Sequence, residues 1–264
     1  MKIKFDQVWL RFEPWISTLF VLVGLAIWEV AARAGKVSIL FFPAPSTIFS
    51  TLFELTVSGK IFEATAATLS RLVIGFIIGS VPGLILGLTM GWLPRVRAIA
   101  DPIIAALHPI PKIAIFPLIM IIFGIGEASK IVAIAISAFF PVLINSMAGV
   151  RQINPVYFEV TKNYGANPWK IFTRVILPGS LPLVLTGARL AINIAMVIGI
   201  AVELSAAKEG LGVMVWFSWQ TLRTEELYAS LIIIGLLGFG INQILQHLSH
   251  RLAPWYDLQT DKQY

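Results

Sequence analysis

Apolar residues in this chain form long runs that short polar segments separate. Crossing the hydrocarbon core of a bilayer takes about 20 residues of helix, and six of the runs are long enough. Their side chains do not alternate between apolar and polar as in a membrane barrel strand, and only helices and closed barrels satisfy every backbone amide within lipid. The pattern therefore predicts an all-α polytopic membrane protein of about six transmembrane helices. The predicted spans are 16–34, 65–92, 99–123, 129–150, 180–204 and 227–249.

Two segments beside the first span have the pattern of helices that lie along a membrane surface. Residues 1–15 carry large apolar side chains at helical spacing, which predicts an interfacial segment. These side chains are Phe5, Val8, Trp9, Phe12 and Trp15. After the turn signal at 42–46, the residues Ile48, Leu52 and Leu55 share a helix face and predict a lateral helix on the outer surface. The single predicted domain, 1–264, comprises the interfacial segment 1–15, the first span and lateral helix 16–64, a five-helix core 65–249 and a tail 250–264.

Glycine and proline mark two of the predicted spans. The second span has a glycine at every fourth position, which on a helix forms a slowly turning groove where another helix can approach closely. These glycines are Gly75, Gly79, Gly83, Gly87 and Gly91. The third span is interrupted by Pro109, Pro111 and Pro117, which remove backbone donors and free carbonyls that must find other partners. Such breaks often lie where a helix lines a cavity.

The composition supports the membrane interpretation, and the charges orient the chain. Hydrophobic residues make up 57% and charged residues 13%, with a mean hydropathy of +0.83, whereas soluble domains carry about 25% charged residues. Lys and Arg number eleven on the side that holds both termini, 93–98 and 151–179, against seven on the other side. The positive-inside rule therefore predicts cytoplasmic termini. The net charge of +6 then belongs mostly to inner loops, and nucleic-acid binding is not expected.

No catalytic, metal or cofactor site is predicted in this chain. It contains no cysteine, which excludes disulfides and thiol chemistry. His108, His247 and His250 form no metal-binding or catalytic set with carboxylates. The turn at 124–130 lacks the second glycine before Lys130 that a phosphate-binding loop needs. An enzymatic function is therefore not expected.

The polar segment 151–179 has the pattern of two short helices. Asn154-Pro155 and Asn167-Pro168 are helix starts, in which the Asn side chain caps free amides and the Pro occupies the first helical position. Gly165 is expected to end the first helix and Pro178 the second. Helices of about ten residues are marginal alone, so a partner protein is expected to hold them. The apolar stripe on the pair comprises Val156, Phe158, Tyr164, Trp169, Ile171 and Phe172.

The spacing in this segment resembles the EAA loop of ATP-binding-cassette importer permeases. Glu159 is followed by Gly165, and after nine intervening residues by Val175-x-Leu177-Pro178. Val160 and Thr161 stand in place of the two alanines, and Val175 in place of the usual isoleucine. The resemblance implies that the short helices dock on a cytoplasmic ATPase and transmit its closure to the spans. The coupling residues that it implies are Glu159, Tyr164, Gly165, Ala166, Asn167, Pro168, Trp169, Leu177 and Pro178.

The resemblance covers most of the chain, from about residue 40 to 240. Within the family, the chain is similar to the branch that imports sulfonates, taurine, nitrate or bicarbonate. The matching segments are Phe42–Ser46, Asp101-Pro102, Ile110–Ala114, Phe123–Gly126, Ser129-Lys130, Phe139–Pro141, Gly187–Arg189, Glu203 and Gly210–Gly212. It implies a type I importer permease core in a bacterial inner membrane. Its partners would be a second permease copy or related chain, with a homodimer expected, two ATP-binding subunits and an extracytoplasmic solute-binding protein. ATP and magnesium would be bound by the ATPase subunits, so no cofactor is expected in this chain.

Charged and amide side chains within the spans are candidates for the translocation pathway. A charge at mid-helix costs about 2.5–3.5 kcal/mol on insertion scales, so it usually faces protein or a water-filled path. The candidates are Lys112, Arg189, Asn193, Glu203 and Asn145. Cations at the edge of a passage would draw an anion through it. The alternative for each is interhelical pairing or snorkelling, and a structural role is favoured for Glu203.

Two other functions remain open from the sequence. A self-sufficient channel or ion-coupled carrier would transport without ATPases and would need an intramembrane acid, for which Glu203 is the candidate. A membrane scaffold or assembly protein would tolerate the loss of Lys112 and Arg189. Under the main hypothesis the cargo is a small anion of the sulfonate, taurine, nitrate or bicarbonate class.

Overall fold

The computed structural model describes the backbone of residues 3–255 and the side chains of residues 17–255. All regular elements in these ranges are helical, which confirms the predicted fold class. The predicted apolar face of residues 5–15 and the end of the predicted tail lie outside the described residues. The helices are α1 Ile3–Arg33, α2 Pro45–Val57, α3 Lys60–Trp92, α4 Pro94–Leu107, α5 Phe116–Phe123, α6 Glu127–Arg151, α7 Pro155–Asn163, α8 Pro168–Ile171, α9 Leu177–Ala206, α10 Leu211–Gln220 and α11 Thr224–Leu252.

Four helical segments in the described part are long and apolar enough to cross a membrane. They are α3, α6, the continuous stretch from α8 through α9, and α11. They coincide with the predicted spans 65–92, 129–150, 180–204 and 227–249. The first predicted span, 16–34, falls in α1 and begins among residues whose side chains are not described.

The predicted third span is divided between α4 and α5. Helix α4 has 14 residues and rises about 21 Å, less than the hydrocarbon thickness. Pro109 and Pro111 lie in the non-helical segment that follows, where they cannot donate backbone hydrogen bonds. The break expected from the prolines is therefore present, and Pro117 instead opens α5 within its first turn.

The chain divides into two compact units. One comprises the residues up to Phe62 together with Met214–Ile232, and the other comprises Glu63–Val213 together with the chain from Ile233 on. In the first unit the carboxylate of Glu29 accepts hydrogen bonds from the amide of Ser46 (2.9 Å) and from its hydroxyl (2.7 Å). The amide belongs to the first turn of α2, so Glu29 caps this helix. Of the three residues on the predicted α2 face, Ile48 and Leu55 are buried and Leu52 is half-buried.

Helix α6 is the centre of the second unit. More of its apolar window is buried than in any of the other three segments long enough to span a membrane. The glycine stripe of α3 lies directly against it: a methyl group on Gly83 would lie 2.6 Å from the carbonyl oxygen of Phe139. On another side, a methyl group on Gly187 of α9 would lie 2.6 Å from the Cβ of Asn145. The prediction that the stripe packs against a helix is confirmed.

The prediction that Pro178 ends the second short helix is wrong. Helix α8 continues through a π-helical turn, Phe172–Ile176, into α9, and Pro178 is at the start of α9. A proline within an α-helix lacks one donor and clashes with the carbonyl four residues earlier. The wider π turn, which pairs residues five apart, accommodates that defect without a stop.

Candidate functional site

The two short helices of the polar segment begin where the sequence predicts, and the first also ends there, whereas the second continues into α9. Asn154 Oδ1 accepts a hydrogen bond from the amide of Val156 at 3.0 Å, and Asn167 Oδ1 accepts one from the amide of Lys170 at 2.8 Å. Each bond satisfies a free amide at a helix start. Gly165 has φ +66°, the left-handed conformation that glycine adopts without steric cost. These local contacts define the shape of the pair without any partner.

The predicted apolar stripe on the pair is divided between two faces. Phe158, Ile171 and Phe172 pack inward, against a buried cluster of Leu88, Val150 and Ile176. This inner face anchors the pair to α3, α6 and α9. The outer face, here called the coupling surface, comprises Val156, Tyr157, Val160, Tyr164 and Trp169.

Large aromatic side chains dominate the coupling surface. Tyr164 is 87% exposed and Trp169 is 70% exposed. Trp169 stacks on Phe172 with 5.9 Å between ring centroids, so its orientation is set by the inner face. Glu159 is exposed beside them, whereas Ala166 is half-buried. At the other end of the pair, Leu177 is exposed, and Pro178 lines a cleft of about 590 Å³ with Tyr157 and Arg174.

Lys112 lies in the break between α4 and α5 and satisfies the carbonyls that the break exposes. Its Nζ donates hydrogen bonds to the carbonyls of His108 (2.6 Å), Ile110 (2.7 Å) and Leu107 (3.3 Å). The same ammonium lies 4.5 Å from the ring centroid of Phe140 on α6. Lys112 also lines an apolar groove of about 490 Å³ formed by α3, α6 and the break. Its ammonium therefore closes the break, and its side chain forms part of the groove wall.

Glu203 is the centre of a buried polar network near the C-terminal end of α9. It is 2% exposed. Its Oε1 lies 2.7 Å from Arg71 Nη1, and its Oε2 accepts hydrogen bonds from the hydroxyl of Thr68 (2.9 Å) and the amide of Gly212 (3.0 Å). Arg71 also pairs with Glu127 at the start of α6. The network joins α3, α6 and α9 to the start of α10.

Arg71 is a residue that the sequence interpretation missed. It is 5% exposed, and besides its two carboxylate partners it donates a hydrogen bond to the carbonyl of Glu209 at 2.6 Å. Glu203 lies 132 positions away in the chain. The sequence signal that could have pointed to such a partner was Glu203 itself, because a carboxylate buried within a span needs a paired cation.

The three remaining pathway candidates lie on α6 and α9 in separate arrangements. Asn145 donates to the carbonyl of Pro141 at 2.8 Å within α6. Asn193 accepts a hydrogen bond from the amide of Asn242 on α11 at 3.0 Å. Arg189 lines a polar cleft between α9 and α11. The five candidates are therefore placed in different local environments.

A helical membrane bundle with a capped, aromatic helix pair between two spans is the arrangement that the resemblance to ATP-binding-cassette importer permeases implies. The family described as "Binding-protein-dependent transport system inner membrane component" matches residues 79–257. The chain belongs to this family.

Several named relatives support the same family. The taurine transport system permease protein TauC of Escherichia coli K12 is 36% identical, covering 91% of this chain and 89% of the relative. The putative aliphatic sulfonates transport permease protein SsuC of Bacillus subtilis 168 is 34% identical, covering 91% and 88%. The formylaminopyrimidine transport permease protein ThiX of Halalkalibacterium halodurans is 35% identical, covering 90% and 94%.

Solved structures share the fold. The inward-facing MetNI methionine ABC transporter matches with a TM-score of 0.56 at 20% identity, covering 76% of this chain and 98% of that chain. An amino acid ABC transporter with histidines matches with a TM-score of 0.58 at 18% identity, covering 77% and 97%.

Family membership decides between the functions that the sequence left open. The chain is a membrane-embedded permease subunit of an ATP-driven importer, and it is not itself an enzyme because the ATPase activity belongs to partner subunits. It works with ATPase and binding-protein partners. Neither the self-sufficient carrier nor the scaffold receives support from these comparisons.

Proposed function

We propose that two copies of this chain form the pathway by which a sulfonate-type anion enters a bacterial cell. The support for the cargo class comes from the named relatives for taurine and aliphatic sulfonates, at 36% and 34% identity over most of the chain. The sulfonate group of these solutes is permanently ionised, in zwitterionic taurine as well, and it suits a passage edged by cations. Lys112 and Arg189 are the cations within the helical core that we assign to this passage, with Asn145 and Asn193 as polar contacts. Glu203 is assigned a structural role because both of its oxygens are engaged.

The coupling surface is the observation that carries the proposed mechanism. Tyr164 and Trp169 are large, exposed aromatics on a segment that is anchored on its other face. Exposed aromatic clusters with polar surroundings are typical of protein interfaces. We propose that a cytoplasmic ATPase subunit covers this surface on each copy, that ATP and magnesium bind only to that subunit, and that both termini of this chain are cytoplasmic.

Cysteine labelling tests the side and the partner of the coupling surface directly. The natural chain has no cysteine, so Tyr164→Cys gives a single reactive thiol on the coupling surface. We expect a membrane-impermeant maleimide to label it in inside-out vesicles and not in intact cells. Ile125→Cys, at a position that is 84% exposed in the turn between α5 and α6, is the control and should show the reverse pattern. Binding of the ATPase subunit should protect Tyr164→Cys from the reagent.

Labelling of Tyr164→Cys from outside the cell would overturn the proposed orientation, and unchanged labelling in the assembled transporter would overturn the docking.

Transport by the reconstituted system tests the cargo. Proteoliposomes that contain this chain, its ATPase and its binding protein should accumulate taurine or an aliphatic sulfonate only with ATP. Liposomes with this chain alone are the control, and uptake there would support a self-sufficient carrier. ATP-driven uptake of a neutral solute with no sulfonate uptake would contradict the proposed cargo class.

A further inference from the structure

Helices α9 and α11 enclose a polar cleft that neither the coupling surface nor the Glu203 network uses. Its volume is about 210 Å³, several times the roughly 30 Å³ that one water occupies in the liquid. Arg189 and Thr186 line it from α9, and Gln246, Ser249 and His250 line it from α11. No carboxylate is among the described residues that line it. The cleft is thus polar, and none of the described residues that line it supplies a counter-ion for its positive charge.

The guanidinium of Arg189 is incompletely satisfied. Its Nε is buried and has no hydrogen-bond partner in the described part of the chain. Buried charged donors are normally paired, because an unpaired one loses its hydration without compensation. Arg71 illustrates the normal case, since it donates to two carboxylates and a carbonyl. No described residue therefore supplies a hydrogen-bond acceptor for Arg189 Nε.

We propose that this cleft binds a tetrahedral oxyanion of the phosphate or sulfonate type. The planar fork of an arginine matches two oxygens of such a group. Gln246, whose side chain is exposed in the cleft, can add an amide donor. The hydroxyls of Thr186 and Ser249 donate to the carbonyls of Pro182 (3.0 Å) and Leu245 (2.8 Å), so they reach the anion only after rotation.

The position of the cleft selects two sources for the oxyanion. Side chains on a helix tilt toward its N-terminus, and the N-terminus of α9 is the end joined to the coupling surface. Ser249 and His250 lie near the C-terminal end of α11. With the coupling surface in the cytoplasm, which rests on the proposed function, the cleft lies at the level of the inner-leaflet headgroups. The sources are the phosphate of an anionic lipid, which basic pockets between spans bind, and a free oxyanion from the cytoplasm.

The lipid source is tested with the full-length chain in nanodiscs of phosphatidylcholine and phosphatidylglycerol. Native mass spectrometry should show phosphatidylglycerol retained by the natural chain and lost from Arg189→Gln. Arg95→Gln removes an exposed arginine outside the cleft and should retain the lipid.

The free source is tested by titrating sulfate against the same variants in pure phosphatidylcholine, at constant ionic strength, with the thermal midpoint as the readout. Saturable stabilisation by millimolar sulfate is expected for the natural chain and Arg95→Gln, whereas general exclusion of sulfate would not saturate. Arg189→Gln should weaken binding roughly tenfold or more, the usual loss for a charge-assisted hydrogen bond. Arg189→Lys should fall between them because it keeps the charge and loses the fork.

The two arms separate the sources. Dependence on Arg189 in the lipid arm alone identifies a headgroup site, and dependence in the sulfate arm alone identifies a free-oxyanion site. Equal behaviour of the natural chain and Arg189→Gln in both arms overturns the proposal. Should Arg189→Gln not fold, Gln246→Leu decides: weaker binding supports the site, and unchanged binding in both arms overturns it. Neither readout requires the ATPase or the binding protein. Failure here would withdraw the assignment of Arg189 to the passage, whereas the docking of the ATPase and the transport of sulfonates are measured separately by the labelling and proteoliposome tests.

Discussion

The charged side chains within the helices of this permease differ in how they are satisfied. Arg71 and Glu203 satisfy each other within a network of four chain segments, and Lys112 satisfies three backbone carbonyls. Arg189 is the exception, with a buried Nε that has no partner among the described residues. The Arg71–Glu203 pair serves the fold, Lys112 closes the break while lining the groove, and Arg189 leaves capacity for a ligand.

Glu203→Gln should destabilise the protein strongly. The substitution leaves the Arg71 guanidinium buried with one carboxylate instead of two, and removing one partner of a buried pair typically costs about 3–5 kcal/mol. The free energy of unfolding in mixed micelles measures the effect. Glu226→Gln breaks the more exposed pair with Arg223 and should cost less than about 1 kcal/mol. Equal losses for the two variants would contradict the structural role of Glu203.

At the scale of the helices, close packing depends on the glycines of α3. Gly83→Val should lower the thermal midpoint, because its Cβ would lie 2.6 Å from a backbone oxygen of α6 that cannot move aside alone. Overpacking of this kind costs about 1–3 kcal/mol. Gly240→Val is the matched control in α11, where a Cβ meets nothing within 4 Å. A midpoint for Gly83→Val as high as that of the control would mean that α3 and α6 are less closely packed than described.

The short helices allow a test of coupling. Gly165→Val places a β-branched residue at φ +66°, a left-handed conformation that costs an L-residue roughly 1–2 kcal/mol. We expect the spans to insert normally while ATP hydrolysis by the partner subunits no longer drives uptake. Gly165→Asn is the control, since Asn tolerates this conformation, and it should keep most of the coupling. The ratio of solute transported to ATP hydrolysed in proteoliposomes is the measurement, and a normal ratio for Gly165→Val would contradict the role of the turn.

At the scale of the whole molecule, the sequence predicted what depends on local pattern. Four of the six predicted spans match long apolar helices because they follow from apolar run length, and the caps Asn154 and Asn167 were found because they follow from a two-residue signal. The partner of Glu203 was not, because Arg71 lies 132 positions away and no periodicity links the two. The prediction for Pro178 was wrong because a proline usually ends a helix. Here the preceding π turn, Phe172–Ile176, lets the helix continue past it. Pairings between distant residues, and exceptions to local sequence rules such as the one at Pro178, could be recognised only from the structure.

The π turn at 172–176 makes one unbroken rod of α8 and α9. This rod runs for 39 residues and measures about 58 Å at the usual rise per residue. Trp169 lies exposed near one end, where the proposed ATPase subunit would dock. Glu203 lies near the other end, within its buried network. Because no loop interrupts this helix, we expect a tilt imposed at the Trp169 end to reach the Glu203 end. There it would strain the Glu203 network, which also holds the first turns of α6 and α10.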